Sequence, residues 1–422
     1  LLGLLVSLAV HAKIPQELYR YLSERDPSFS YRIVSKDANG LEVQMTSQTW
    51  RGIPWKHRIL LREPAKLSER GAAILYITGD GPFKSDYTDI NLMSNATGMP
   101  VAMLFSIPNQ PIFGMREDDL IAHTFGEYLR TQDPSWPLLF PMTKAAIRAM
   151  DAIQAATARS GNPIRRFIVT GASKRGWTTW MVGAARDRRI AAIAPMVYDN
   201  LNVQAQMPHQ IASWGQYSDM IKDYTRRGLQ AQLATPAGQK LAAMIDPYSY
   251  MSAIREPTLI VRGANDPYWT ADAISLYWKD LKQPHWLLTV PNAGHDLGGG
   301  VLAALTIGAF ARSVAGEFRM PHPEGTVEAD HDVIRLRAPI ARRSDVVLGE
   351  VAAWVASSDT LDFRKSVYHR TAILVNEHSS ENFVSANIPR PEGNLAVFLE
   401  FRYKAKGHPF TLSLPTVIVR AP

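Results

Sequence analysis

A serine at position 173 stands in the run Gly171-Ala172-Ser173-Lys174-Arg175-Gly176-Trp177, between the apolar stretch Phe167–Thr170 and a small-residue stretch from about Trp177 to Ala185. A strand that turns sharply into a helix at this point would lift the hydroxyl clear of a sheet. The helix N-terminus would then offer backbone N–H groups to a developing oxyanion. Gly171 and Ala172 leave room for such a turn. The usual spacing G-x-S-x-G is displaced by one, because Arg175 holds the fifth position and Gly176 follows it. A serine at a helix start is also a common cap, and this run alone does not separate the two roles.

Two partners follow in the chain order serine, acid, histidine. Arg262-Gly263-Ala264-Asn265-Asp266-Pro267 closes the apolar run at 258–261, and Pro291-Asn292-Ala293-Gly294-His295-Asp296 closes the run at 286–290. A histidine would take the serine proton, and a carboxylate would hold its tautomer and stabilise the imidazolium. Asp266 and His295 are the expected partners of Ser173, with Asp272 and Asp296 as nearby alternatives for the acid. The expected oxyanion donors are the N–H of Lys174 and one from the loop Gly79-Asp80-Gly81, with Gly79 and Asp80 as candidates; a plain glycine turn is the alternative there. Asn109 and Gln110 are expected either to line the cleft or to bond backbone in a loop. Trp177 and Trp269 are expected on the pocket wall, and a wide cleft lined by Trp136, Trp177 or Trp269 would suit a carbohydrate ester.

Other chemistries find little support. The chain has no cysteine, which excludes disulfides, thiolate metal sites and cysteine nucleophiles. Its 11 histidines are dispersed without a helical His-x-x-x-His and a third ligand, so no metal is expected. The run Gly298-Gly299-Gly300 lacks the Lys-Ser/Thr that grips a nucleotide, and no nucleic-acid motif is present. No cofactor is expected, and the expected partner is a small-molecule or peptide substrate. The formal net charge of +7 comes from scattered residues, 46 Lys+Arg against 39 Asp+Glu, and gives only a weak pull toward anionic surfaces.

The elements that must position these residues are legible as patterns. Residues 30–62 alternate apolar and polar, which predicts antiparallel strands. Continuous apolar runs at 72–77, 101–105, 167–170, 190–197, 258–261 and 286–290 predict strands covered on both faces. Met142, Ala146, Ala149, Met150 and Ile153 share one helical face, and a later helix at about 300–316 is expected to turn Leu302, Leu305 and Ala309 inward. Alternating strands and helices over 70–200 predict a parallel sheet with helices on both sides. Residues 200–255 break the pattern, open a helix at Thr235-Pro236, and are expected to lie over the sheet as a lid carrying His209, Trp214, Tyr217 and Tyr224. Val397, Leu399, Phe401 and Tyr403 alternate with Phe398, Glu400, Arg402 and Lys404, a pattern for a half-buried strand in an all-β tail.

The chain resembles the PhoPQ-activated pathogenicity-related proteins over most of residues 30–410. The resemblance rests on Ile107-Pro108-Asn109-Gln110-Pro111, Arg116 to Ala122, Pro141 to Ala146, Gly171 to Trp177, Tyr198-Asp199-Asn200-Leu201-Asn202, Asp246 to Tyr250, Pro291 to His295, Leu361-Asp362-Phe363-Arg364 and Ile388 to Gly393. It implies an α/β-hydrolase-like fold with a serine at Ser173 and a histidine at His295. The expected organisation is an α/β-hydrolase domain over 13–320 with the insertion at about 200–255, and an all-β, sandwich-like domain over 321–422. The apolar run at 1–12 reads as the end of a secretory signal, which predicts a secreted or periplasmic protein. The expected activity is serine-hydrolase cleavage of an ester or amide. A peptidase, and a non-catalytic binding or signalling protein on the same scaffold, are the alternatives.

Overall fold

The computed structural model describes residues 14–67, 71–340, 343–374 and 383–421. The apolar run at 1–12 lies outside the described residues. The first nine strands are β1 (Ser30–Asp37), β2 (Gly40–Trp50), β3 (Ile53–Arg62), β4 (Ala72–Ile77), β5 (Val101–Leu104), β6 (Arg166–Ala172), β7 (Ile190–Met196), β8 (Thr258–Gly263) and β9 (His285–Val290). They lie side by side in the order β1-β2-β3-β5-β4-β6-β7-β8-β9. β1, β2 and β3 form antiparallel pairs, β3 runs antiparallel to β5, and every later neighbour up to β9 is parallel. An antiparallel β3 beside the parallel strands, exchange of β4 and β5, and a parallel run through β9 together make the α/β-hydrolase fold.

Both faces of the sheet are covered, as the continuous apolar runs require. Along β4, Ala73, Leu75 and Ile77 join one apolar cluster with the helices Leu139–Thr157 and Lys174–Ala184. Ala72 and Ile74 join the opposite cluster with Val301–Val314 and Ile90 of the helix Lys84–Thr97. Met142, Ala146, Ala149, Met150 and Ile153 are all buried, as their spacing predicts. The helix Val301–Val314 buries Ala309 and packs Leu302 on the core as expected, but Leu305 is 37% exposed, and Ala303, Ile307 and Phe310 fill the inner face. Gly308 accounts for the difference, because a Cβ there would stand 3.2 Å from the Thr97 side chain, and this close approach sets the inward face.

The insertion after β7 is helical. Its main helices are Val203–Trp214 and Pro236–Ile245, the second opened by Thr235, whose hydroxyl accepts from the Gly238 N–H at 3.0 Å. Beyond residue 321 the described chain is all-β: β10 (Thr326–Ala329), β11 (Val333–Pro339), β12 (Val346–Ser358), β13 (His369–Leu374), β14 (Phe383–Pro389), β15 (Asn394–Ala405), β16 (His408–Ser413) and β17 (Val417–Val419). β10, β11 and β14 form a three-stranded sheet, while β16, β15, β12 and β13 continue the large sheet from β9 through the pair Ser413–Leu287. Leu336 of β11 shares an apolar cluster with Val351, Val397 and Leu399, so the two sheets bury a common core. β15 is more deeply buried than its alternation implies. Phe398 and Glu400 are enclosed as well, and Phe398 packs with Phe363 and Tyr368 of the β12–β13 connection.

Candidate active site

Ser173 occupies the turn between β6 and the helix Lys174–Ala184, with φ 59° and ψ −127°. A non-glycine residue at positive φ is strained by about 1–3 kcal/mol and persists only where its surroundings enforce it. Here the Ser173 N–H donates to the Met196 carbonyl at 2.9 Å, at the end of the neighbouring strand β7. Gly171 is required because a Cβ would come within 2.8 Å of the Arg175 carbonyl. The displaced Gly176 has its own packing reason: a side chain there would run into the Met196 carbonyl, so the helix could not approach β7. With the Ser173 N–H engaged, the free first-turn N–H groups of the helix begin at Lys174.

The acid and histidine loops leave the adjacent ends of β8 and β9. They are laced together by Ala264 N–H to the Val290 carbonyl at 2.9 Å and Asn265 N–H to the Ala293 carbonyl at 3.0 Å. Gly263 permits this, since a side chain there would collide with the Gly294 carbonyl. Asp266 is 3% exposed. Its Oδ2 lies 2.9 Å from His295 Nδ1, and its Oδ1 accepts from the Tyr268 N–H at 2.9 Å. The Tyr268 ring stacks on the imidazole at 4.2 Å between centroids. His295 Nε2 is buried and has no hydrogen-bond partner among the described residues, Ser173 included. The other two acids are occupied elsewhere: Asp272 pairs with His209 Nε2 at 2.8 Å, and Asp296 accepts from the Gly298 N–H at 3.2 Å.

A polar cluster beside the serine was not foreseen from the sequence. Lys174 Nζ lies 2.9 Å from Glu117 and 3.1 Å from Asp118. Arg175 grips both oxygens of Glu117 at 2.8 Å and also donates to the Ile107 carbonyl. Burial would raise the Glu117 carboxyl, but hydrogen bonding and charge from Arg175, together with Lys174, hold it at about 2. Gln110 is locked into this cluster: its carbonyl accepts from the Glu117 N–H at 2.8 Å and its amide donates to Asp80 at 3.2 Å and to Glu117. Asp80 pairs with Arg116 as well, and the Arg175 guanidinium lies over Gly79. Asn109 accepts from the Lys56 N–H at 2.9 Å. Both amides therefore satisfy loop and cluster partners rather than lining the cleft.

Ser173 and Lys174 open onto a cavity that the insertion roofs. Trp177 and Trp269 are in its wall, as expected, and Trp177 Nε1 donates to the Ile245 carbonyl at 2.7 Å. Of the four lid residues singled out, Tyr224 lines the cavity, its hydroxyl 3.0 Å from Asp118. His209 turns to Asp272, Trp214 lies under the Arg364 guanidinium at 4.1 Å, and Tyr217 packs on the main core. Trp136 belongs to a separate aromatic group with Trp50, Phe113 and His123. The β12–β13 connection supports both loops of the acid–histidine pair. Asn265 donates to the Phe363 and Ser366 carbonyls at 2.9 and 2.8 Å, and Asn292 exchanges hydrogen bonds with the Tyr368 backbone at 2.9 and 2.7 Å.

Autocrine proliferation repressor protein A of Dictyostelium discoideum is 35% identical over 281 residues, covering 62% of this chain and 56% of that protein. The chain thus spans little more than half the length of this relative. Among solved structures, acetyl xylan esterase 1 from Thermoanaerobacterium sp. JW/SL YS485 is similar with a TM-score of 0.49 at 15% identity, over 72% of this chain and 96% of that one. An S-formylglutathione hydrolase from Agrobacterium tumefaciens gives 0.43 at 12% identity, over 68% and 99% of the two chains. An acylaminoacyl peptidase from Pyrococcus horikoshii gives 0.41 at 13%, over 70% and 43%. Residues 18–364 match the family model described as PhoPQ-activated pathogenicity-related protein, and the chain belongs to that family.

Proposed function

We propose that the protein is a serine hydrolase that cleaves an ester or amide through Ser173, His295 and Asp266. The observation that carries this reading is the Asp266–His295 pair, with Nδ1 held at 2.9 Å and Nε2 buried and unpartnered beside the cavity wall that Ser173 shares with Tyr268. In the proposed reaction, Ser173 Oγ bonds to the substrate carbonyl carbon while its proton passes to His295 Nε2. The carbonyl oxygen, now negative, is met by the Lys174 N–H and a second donor from Gly79 or Asp80. The C–O or C–N bond to the leaving group then breaks as His295 returns the proton to it. Water, deprotonated by the same nitrogen, attacks the acyl-serine; the carbon–Oγ bond breaks as His295 returns the proton to Ser173 Oγ, and the acid product leaves. Asp266 keeps the imidazole in the tautomer whose Nε2 is free to accept. Catalytic hydrogen bonds are often long before substrate binds, which accommodates the open Ser173–His295 contact.

One observation favours a second reading. Because Ser173 and His295 are not hydrogen-bonded, a binding or signalling protein that retains the scaffold fits the same geometry. A panel of p-nitrophenyl esters and aminoacyl p-nitroanilides separates the two. The hydrolase reading expects turnover with at least one substrate, lost by a factor of about 10³ or more in Ser173→Ala. Activity that is equal in Ser173→Ala, or absent from the folded wild type across the panel, supports the second reading.

A further inference from the structure

We infer that the cavity beside Ser173 accepts a bulky apolar group flanking the scissile carbonyl, so that the substrates are esters or amides with a large apolar acid or alcohol part rather than acetates of small alcohols. This rests on the hydrolase reading above. Six aromatic side chains in the cavity wall form a continuous file. Tyr224 meets Phe125 at 6.2 Å between ring centroids, Phe125 meets Trp177 at 5.9 Å, and Trp177 stacks on Tyr198 at 4.9 Å. Tyr198 meets Trp269 at 6.0 Å and Trp269 meets Tyr268 at 5.8 Å, and Tyr268 stacks on His295. The file thus runs from the histidine of the reacting centre to the lid, and an apolar group attached to a carbonyl at Ser173 would lie along it. The lid adds leucines at 229, 233 and 241 to the same wall.

Charge in the wall points the same way. Lys174 and Asp118 pair with each other at 3.1 Å, Lys174 also with Glu117, and Tyr224 is bonded to Asp118. The ionic groups next to the serine are thereby satisfied internally, and what the cavity offers an occupant is mainly apolar surface, with Asn200 Oδ1 and Trp269 Nε1 as buried polar atoms of lining residues that have no partner among the described residues. Such surface discriminates by size, since each buried methylene adds to binding.

The test compares two series: p-nitrophenyl esters from acetate to octanoate, and acetate esters of alcohols from ethanol to phenylbutanol. The inference expects kcat/KM to rise by at least about tenfold along one series. It expects that rise to be reduced in Leu241→Trp, which fills the cavity; Leu233→Trp, at a partly exposed position, serves if the first variant does not fold. Independently, quenching of tryptophan fluorescence in Ser173→Ala should show p-nitrophenyl octanoate binding more tightly than the acetate. Flat or falling kcat/KM in both series, with no binding preference in Ser173→Ala, overturns the inference while leaving the hydrolase reading intact. Preferential octanoate binding without turnover by wild type upholds the cavity and removes the hydrolase reading.

Discussion

Ser173 is held at a backbone conformation that its own side chain disfavours; Gly171 leaves room for the turn, and Gly176 lets the following helix approach β7. The same economy of space governs the acid, because Gly263 lets the Asp266 and His295 loops meet. Three carboxylates compete by sequence position, and geometry distributes them differently: Asp266 to His295, Asp272 to His209, Asp296 to the turn at 297–299. Asp266→Asn should therefore keep the fold yet lower kcat/KM by about 10³–10⁴. Asp272→Asn and Asp296→Asn should stay within about tenfold of wild type. Steady-state kinetics on the three variants, with circular dichroism to confirm folding, checks this, and an equal loss in all three would break the assignment. At this scale the sequence was informative where chemistry needs local turn residues, as at Gly171–Ser173 and Gly294–His295. It was silent on the Glu117–Arg175 pair, whose members lie 58 residues apart with nothing local to link them. It left Asn109 and Gln110 between two roles, because an amide that bonds a loop and one that lines a cleft look alike in sequence.

At the level of elements, the lid helix Val203–Trp214 is clamped to the segment after β8 by the His209–Asp272 pair. The Asp272 hydrogen bond and charge outweigh burial and raise His209 above its ordinary 6.5. The folded state therefore holds that proton more tightly than the unfolded chain. This stabilisation is complete below about pH 6.5 and is lost as pH rises through the raised value. Asp272 is lowered, since the His209 hydrogen bond and charge outweigh its burial, so its share is lost as pH falls through its own folded value, below 3.8. With both side chains partly exposed, the effect should be about 0.5–1 kcal/mol. Hydrogen exchange at the lid helix should accelerate between about pH 5.5 and about pH 8.5 beyond the intrinsic rate change, and His209→Gln should remove that excess. Identical excess in the variant would show that the pair does not hold the lid. The elements themselves were mostly legible because each has its own period. What the period could not tell was which neighbour would arrive. Leu305 lies on a plausible inner face of its helix but turns outward because Gly308 seats on Thr97. Phe398 reads as the exposed side of β15 until the distant segment at 363–368 covers it.

Taken whole, the molecule is built around one sheet that passes from the α/β layers into the β-rich tail. Trp286 of β9 donates to the Pro321 carbonyl at 2.7 Å, Phe318 packs on Phe410 at 5.7 Å, and the Asn265 and Asn292 side-chain amides donate to tail carbonyls beside the acid–histidine pair. A chain ended after Met320 would expose the apolar cluster shared by both parts and free both loops of the acid–histidine pair. Such a truncation should aggregate or melt without cooperativity; a soluble, cooperatively melting truncation with full activity would show that the tail is dispensable to the site. The central claim is tested most directly by labelling the folded full chain with a fluorophosphonate and mapping the adduct by peptide mass spectrometry, in wild type, Ser173→Ala and His295→Ala. The account predicts an adduct on Ser173 that is absent from Ser173→Ala and forms more slowly in His295→Ala. Folded wild type without an adduct at Ser173, or labelling unchanged by removal of that hydroxyl, would contradict it.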